Sequence, residues 1–164
     1  MQMIIIRRAK EDDCLIIARV HASAVRAIPI SYYAPEEIEA WAIPHKLESY
    51  QQFVHNREFY VATKDEVIVG FGVLNPETRQ IEAVYASPET RGQGVGLKLL
   101  QKLEDQGRGL GFEALHLNAS LNAVGFYQRA GYLAQEESKY RLASGVEIRC
   151  VPMIKALVPE ADAI

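Results

Sequence analysis

Apolar and polar positions along this chain change their period several times, and each change marks an element. The opening "MIIIRRA", residues 3–9, is short and β-branched and predicts a strand. In "KEDDCLIIARVHASAVRAI", residues 10–28, apolar positions recur at Leu15, Ile16, Ala18, Val20, Ala24 and Ile28 behind acids in the first turn. That is a helical period with charges that suit the dipole, and Pro29 interrupts it. "APEEIEAWA" starts a second helix: Pro35 fits the first helical position, Ile38, Trp41 and Ala42 share a face, and Pro44 stops it. "KLESYQQFVHN" is a third, short helical piece.

Beyond it the period falls to two. "EFYVATKDEVIVGFGVLN", residues 58–75, is two strands around a polar turn, a hairpin, and "QIEAVYAS" is a further strand. A glycine-rich stretch then opens the helix "VGLKLLQKLEDQGRGLG", whose apolar stripe is Val95, Leu99, Leu100 and Leu103, with Gly107 and Gly109 as its stop. "EALHLNAS" is a strand, "NAVGFYQRAGY" a helix stopped by Gly131, and "VEIRCVPMIKAL" a closing strand. The order predicts an α/β domain over residues 1–157: a mixed, mostly antiparallel central sheet of six to seven strands flanked by helices, with 158–164 as a loose tail.

Composition removes several alternatives. A length of 164 residues suits one domain, and 49% hydrophobic with 24% charged residues is globular. A net charge of −3 offers no basic field for nucleic acid or an anionic membrane. No apolar run approaches about 18 residues, and the N-terminal charges follow the apolar run rather than precede it, against a secretion signal. Cys14 and Cys150 read as buried free thiols of a cytoplasmic protein, with a disulfide as the alternative. His21, His45, His55 and His116 show no ligand spacing with them, so no metal is expected.

The candidate chemistry lies in "YASPETRGQGVGLKLL", residues 85–100, where Gly92, Gly94 and Gly96 crowd the junction of strand and helix. The dinucleotide pattern GxGxxG fails at Leu97 or Leu99, and GxxxxGK[ST] fails around Lys98. A glycine loop at a helix start still leaves amides and a positive dipole end open to an anion; ordinary packing glycines in a turn are the alternative.

Arg91-Gly92-Gln93-Gly94-Val95-Gly96 resembles the [QR]xxGx[GA] signature of the GNAT superfamily of N-acetyltransferases, and "NASLNAVGFYQRAGY" resembles that family's later motif. The resemblance implies central strands that splay apart and hold acetyl-CoA as cosubstrate. Backbone groups of Val84, Tyr85 and Ala86 would pair with the pantetheine arm, and amides of Gln93, Gly94, Val95, Gly96 and Leu97 would hold the pyrophosphate. Arg91 would support the phosphates or stay a surface arginine. Asn122 would hydrogen-bond the arm or only cap its helix.

Direct acetyl transfer to an amine needs a base for the amine, a donor at the carbonyl oxygen and an acid for the departing thiolate. By resemblance Tyr127 is that acid; on its helix face, with Ala123, Phe126 and Ala130, a core tyrosine would look the same. Glu82 is the one charge in "QIEAVYAS", shares strand parity with Val84 and Ala86, and is the candidate base or an exposed edge glutamate. Tyr32, Tyr33 and Trp41, set among carboxylates, are candidates for binding a cationic small-molecule or peptide amine, or are core. A non-catalytic acyl-CoA-binding module is the alternative function, and relatives of this kind are often homodimers.

Overall fold

The computed structural model describes residues 3–157; the expected tail, 158–164, lies outside the described residues. Strands β1 (Ile4–Arg8), β2 (Glu58–Lys64), β3 (Val67–Asn75), β4 (Gln80–Ala86), β5 (Ala114–Ala119), β6 (Leu133–Ala134), β7 (Ser138–Arg141) and β8 (Glu147–Ala156) form one sheet in the order β1-β2-β3-β4-β5-β8-β6, with β7 also on β8. The two short strands β6 and β7 carry the count past the six to seven expected. Every pairing is antiparallel except β4 with β5. A parallel pair needs a crossover, and helix α4 (Val95–Gly109) supplies it.

Strand alternation sorts the core onto two faces. Phe59, Val61, Phe71 and Val73 face α1 (Cys14–Arg26) and α3 (Leu47–Asn56), while Tyr60, Ala62 and Leu74 face α4, whose stripe Val95, Leu99, Leu100 and Leu103 is buried as the sequence predicts. Gly70 on β3 lets α4 lie this close: a Cβ there would stand 2.7 Å from the Tyr85 carbonyl oxygen and 2.8 Å from Val95 Cγ1. Gly107 is a packing glycine of the same kind, not a stop, since its Cβ would meet Leu157 and Leu115 at 3.2–3.3 Å. A third cluster joins Val25 and Ile28 to Tyr33, α2 (Pro35–Ala42) and Ile148 of β8. The β2–β3 hairpin turns on Asp65 and Glu66, both at positive φ, the pattern that matches strand twist. Cys14 and Cys150 are both buried and free.

Under α4 lies a buried polar set: Tyr132 donates to Glu104 Oε2 at 2.8 Å, and Lys155 Nζ reaches the same oxygen at 3.1 Å and the Ala130 carbonyl at 2.8 Å. It ties α4 to β8 and to the turn after α5 (Val124–Arg129), where Gly131 takes φ +98°.

Candidate active site

Two irregularities in β4 build the site. The strand pairs with β5 only at Gln80–His116 and Ile81–Leu117, so from Glu82 onward the two central strands part. A bulge sets the second: Val73 faces Ala83 while Leu74 faces Ile81, leaving Glu82 as the extra residue. The strand-parity expectation for Glu82 fails for this reason. Its Oε1 accepts from Arg57 Nε at 2.8 Å and its Oε2 from Asn75 Nδ2 at 3.2 Å. Arg57 itself lies over the Phe53 ring on the α3 side, away from the face shared by Val84 and Ala86.

The parted strands open a cavity of about 240 Å³, lined on β4 by Val84, Tyr85 and Ala86, then by Ser87, Pro88 and Arg91. Main-chain polarity along this wall follows the ladder. Ser87 N–H donates to the Val69 carbonyl at 2.7 Å, so pairing alternates and Tyr85, opposite Phe71, also turns its amide and carbonyl toward β3. Val84 and Ala86 turn theirs to the cavity. The expectation that all three residues offer main-chain groups is corrected to these two; Tyr85 contributes its ring.

At the cavity's edge the chain enters α4 through Gly92 at φ +81° and Gly94 at φ +82°, left-handed conformations that a side chain would strain. A Cβ at either position would meet nothing within 4 Å, so these glycines serve backbone shape and leave open space before the helix. Gly96 differs: its Cβ would touch Phe126 at 3.4 Å. Gln93 N–H is already bonded to the Thr90 carbonyl at 3.1 Å, and its side chain holds Lys64 Nζ at 2.8 Å. Its amide therefore drops out of the expected anion cradle. Gly94, Val95, Gly96 and Leu97 make no amide hydrogen bond among the described residues; the first bond of the helix is Lys98 N–H to the Gly94 carbonyl at 3.0 Å.

Across the gap, Ser120, Asn122 and Ala123 close the cavity. Asn122 is exposed and its side chain makes no hydrogen bond among the described residues, so it caps nothing. One turn further, Tyr127 is buried edge-to-face between Phe126 and Tyr132, at centroid distances of 5.0 and 5.7 Å. Burial, with Tyr85 adding to it, pushes its phenol well above the ordinary range. The hydroxyl has no partner among the described residues, yet it is not among the fully enclosed unpartnered atoms, as Tyr50 is.

The aromatic candidates separate. Trp41 lines the cavity and donates its indole N–H to Tyr85 Oη at 3.2 Å. Tyr33 does not line it: the residue is 1% exposed, donates to the Arg149 carbonyl at 2.6 Å and accepts from Leu121 N–H at 2.9 Å, a core bridge. Tyr32 is partly exposed and offers its carbonyl to Arg149 at 2.9 Å. Two of the carboxylates expected beside them are engaged elsewhere, Glu37 on the Ala34 amide and Glu39 on Arg26, while Glu36 is exposed.

Sequence reasoning missed the wall of Ala24, Ala27, Ile28 and Pro29. The signal was present in the small residues preceding the helix-ending proline. It also missed His21, which bonds the Trp41 carbonyl through Nε2 at 2.8 Å and packs edge-on to Tyr85 at 5.0 Å. Burial is the main influence on its imidazole and lowers its pKa. The folded state thus binds this proton less tightly than the unfolded chain, whose histidine titrates near pH ~6.5. Its contribution is complete above that pH and is lost as pH falls below it. Melting curves between pH 5 and 7.5 are expected to show a loss of Tm on acidification that is smaller in His21→Gln, which retains an N–H donor for Trp41.

Splayed central strands and a bare helix start make up the candidate site, and neither Tyr127 nor Glu82 is in the cavity lining. Residues 30–157 match the family model of the acetyltransferase (GNAT) domain, and the chain belongs to that family. An IAA acetyltransferase of Azospirillum brasilense is 27% identical over 81 residues, 45% of this chain and 53% of that protein. The chain thus spans about half the length of the curated relative it matches. A GCN5-related N-acetyltransferase of Rhodopseudomonas palustris superposes with a TM-score of 0.88 at 26% identity, over 96% of this chain and 98% of that one. PaiA N-acetyltransferase of Thermoplasma acidophilum, solved in complex with coenzyme A, gives 0.78 at 19% identity over 94% and 99%, a likeness of fold. Among the described residues no helix is long and apolar enough to cross a membrane.

Proposed function

We propose that the chain is an acetyl-CoA-dependent N-acetyltransferase, one domain over residues 1–157, that acetylates a primary amine by direct attack in a ternary complex. The observation that carries this reading is the row of unpartnered amides from Gly94 to Leu97 beside the unpaired β4 edge at Val84 and Ala86. Residues present fit the cosubstrate: the four amides and the helix dipole suit a pyrophosphate, with Arg91 adding charge, and the β4 edge and Asn122 suit the two amides of a pantetheine arm. When bound, the thioester supplies an activated acetyl group and a thiolate leaving group.

The chain's own groups do the rest. An inward-facing β4 amide, at Val84 or Ala86, stabilises charge developing on the carbonyl oxygen. Tyr127, held protonated by burial, donates to the departing sulfur. Glu82, whose two oxygens are occupied by Arg57 and Asn75, accepts the amine proton through water rather than by contact. The tied-up Glu82 is the feature that favours a non-catalytic acyl-CoA-binding module instead. An end-point assay separates the two: equimolar free thiol and acetylated amine are expected with acetyl-CoA and an amine, whereas saturable coenzyme A binding without either product supports the module.

A further inference from the structure

The cavity lining is mostly apolar. Arg91, beside the glycine loop, is its one charged residue, and Ser87, Ser120 and Asn122 add polar side chains. Ala24, Ala27, Ile28, Pro29, Trp41 and Tyr85 make up a further part of the wall, without a carboxylate. Trp41 donates its indole N–H to Tyr85 Oη at 3.2 Å, which joins the two rings in one stretch of the wall. His21 bonds the Trp41 main-chain carbonyl and packs edge-on to the Tyr85 ring. Two of the three α2 acids are already engaged: Glu39 pairs with Arg26 at 3.2 Å, and Glu37 accepts from the Ala34 amide at 2.7 Å.

From this lining we infer that the acceptor is a small primary amine carried on an apolar, flat group, an arylalkylamine in chemical class, with that group against Ala24, Ala27 and Trp41. The inference rests on the acetyltransferase reading and names its substrate class. Two aromatic rings and small alanine side chains share this lining, which favours an aromatic occupant over a hydrated one. A second ammonium, as in a polyamine or an aminoglycoside, would lose water against this wall, which offers it no carboxylate. A peptide N-terminus would bring main-chain polar groups into the same unpartnered surroundings.

The test is a set of kcat/KM values at saturating acetyl-CoA for 2-phenylethylamine, spermidine, an aminoglycoside and an alanine-initiated peptide, with coenzyme A affinity measured separately by calorimetry. The expected result is at least tenfold preference for 2-phenylethylamine, a ratio within reach of an apolar pocket at about 10–200-fold. Ala27→Leu is expected to raise its KM about tenfold or more while coenzyme A affinity is unchanged; Ala24→Leu serves if that variant does not fold. Preference for the polycation or the peptide overturns the substrate class and leaves the acetyltransferase reading standing. Coenzyme A binding without turnover, and without saturable 2-phenylethylamine binding, overturns the substrate class and the catalytic reading together. Absence of coenzyme A binding removes the reading on which both depend.

Discussion

Tyr127→Phe is expected to lower kcat by about 10²-fold, the usual scale for losing a positioned general acid, while the Kd for coenzyme A stays within about twofold of wild type. The ring is buried between Phe126 and Tyr132, so a phenylalanine keeps both edge contacts and the fold. Only the unpartnered hydroxyl is lost. Burial raises the phenol's pKa, so it stays protonated through neutral and mildly alkaline pH. The kcat profile of the wild type should therefore show no alkaline loss from this group up to about pH 10, the reference value for tyrosine. Steady-state kinetics with a thiol reagent, paired with calorimetry, read both effects. An unchanged kcat in the variant removes Tyr127 from the chemistry.

The second large effect concerns the helix start. Gly94→Val should weaken coenzyme A binding about 10–100-fold, equivalent to losing one charge-assisted hydrogen bond of about 1.5–3 kcal/mol. Two causes act together. A β-branched residue at φ +82° is strained by about 1–2 kcal/mol, and its side chain occupies the open space in front of the amides. Gly111 separates them, since it has the same φ of +82° and equally open surroundings beyond the other end of α4. Gly111→Val should lose a similar amount of Tm, about 5 °C, and leave coenzyme A affinity intact. Equal weakening in both variants would mean that global stability, not the loop, governs binding.

What the chain's pattern reveals and what it hides follow from range. The α4 stripe is legible because Val95, Leu99, Leu100 and Leu103 obey a local period, and all four are buried. Both loop glycines are legible because a left-handed φ excludes most other residues. The bulge at Glu82 is not, because it arises from register against β3 and its partner Arg57 stands 25 positions away. Tyr33 shows the same limit: its hydroxyl spans to Leu121 and Arg149, 88 and 116 positions distant, and nothing local separates that bridge from a pocket tyrosine. Strands β6 and β7 escape notice because their residues are exposed and carry no alternation. Gln93 looked like part of the anion cradle until the 3₁₀ turn at Pro88–Thr90 delivered the Thr90 carbonyl to its amide.

Everything in the mechanism depends on which main-chain nitrogens receive the diphosphate. Amide chemical-shift mapping of the ¹⁵N-labelled protein during coenzyme A titration addresses this directly. The largest saturable shifts are expected at Gly94, Val95, Gly96 and Leu97, with Val84 and Ala86 moving in step and Gln93 moving less. Shifts confined to another surface, such as the groove of Ile4, Ile6 and Lys102 on the far side of α4, or none at saturating ligand, would contradict the account.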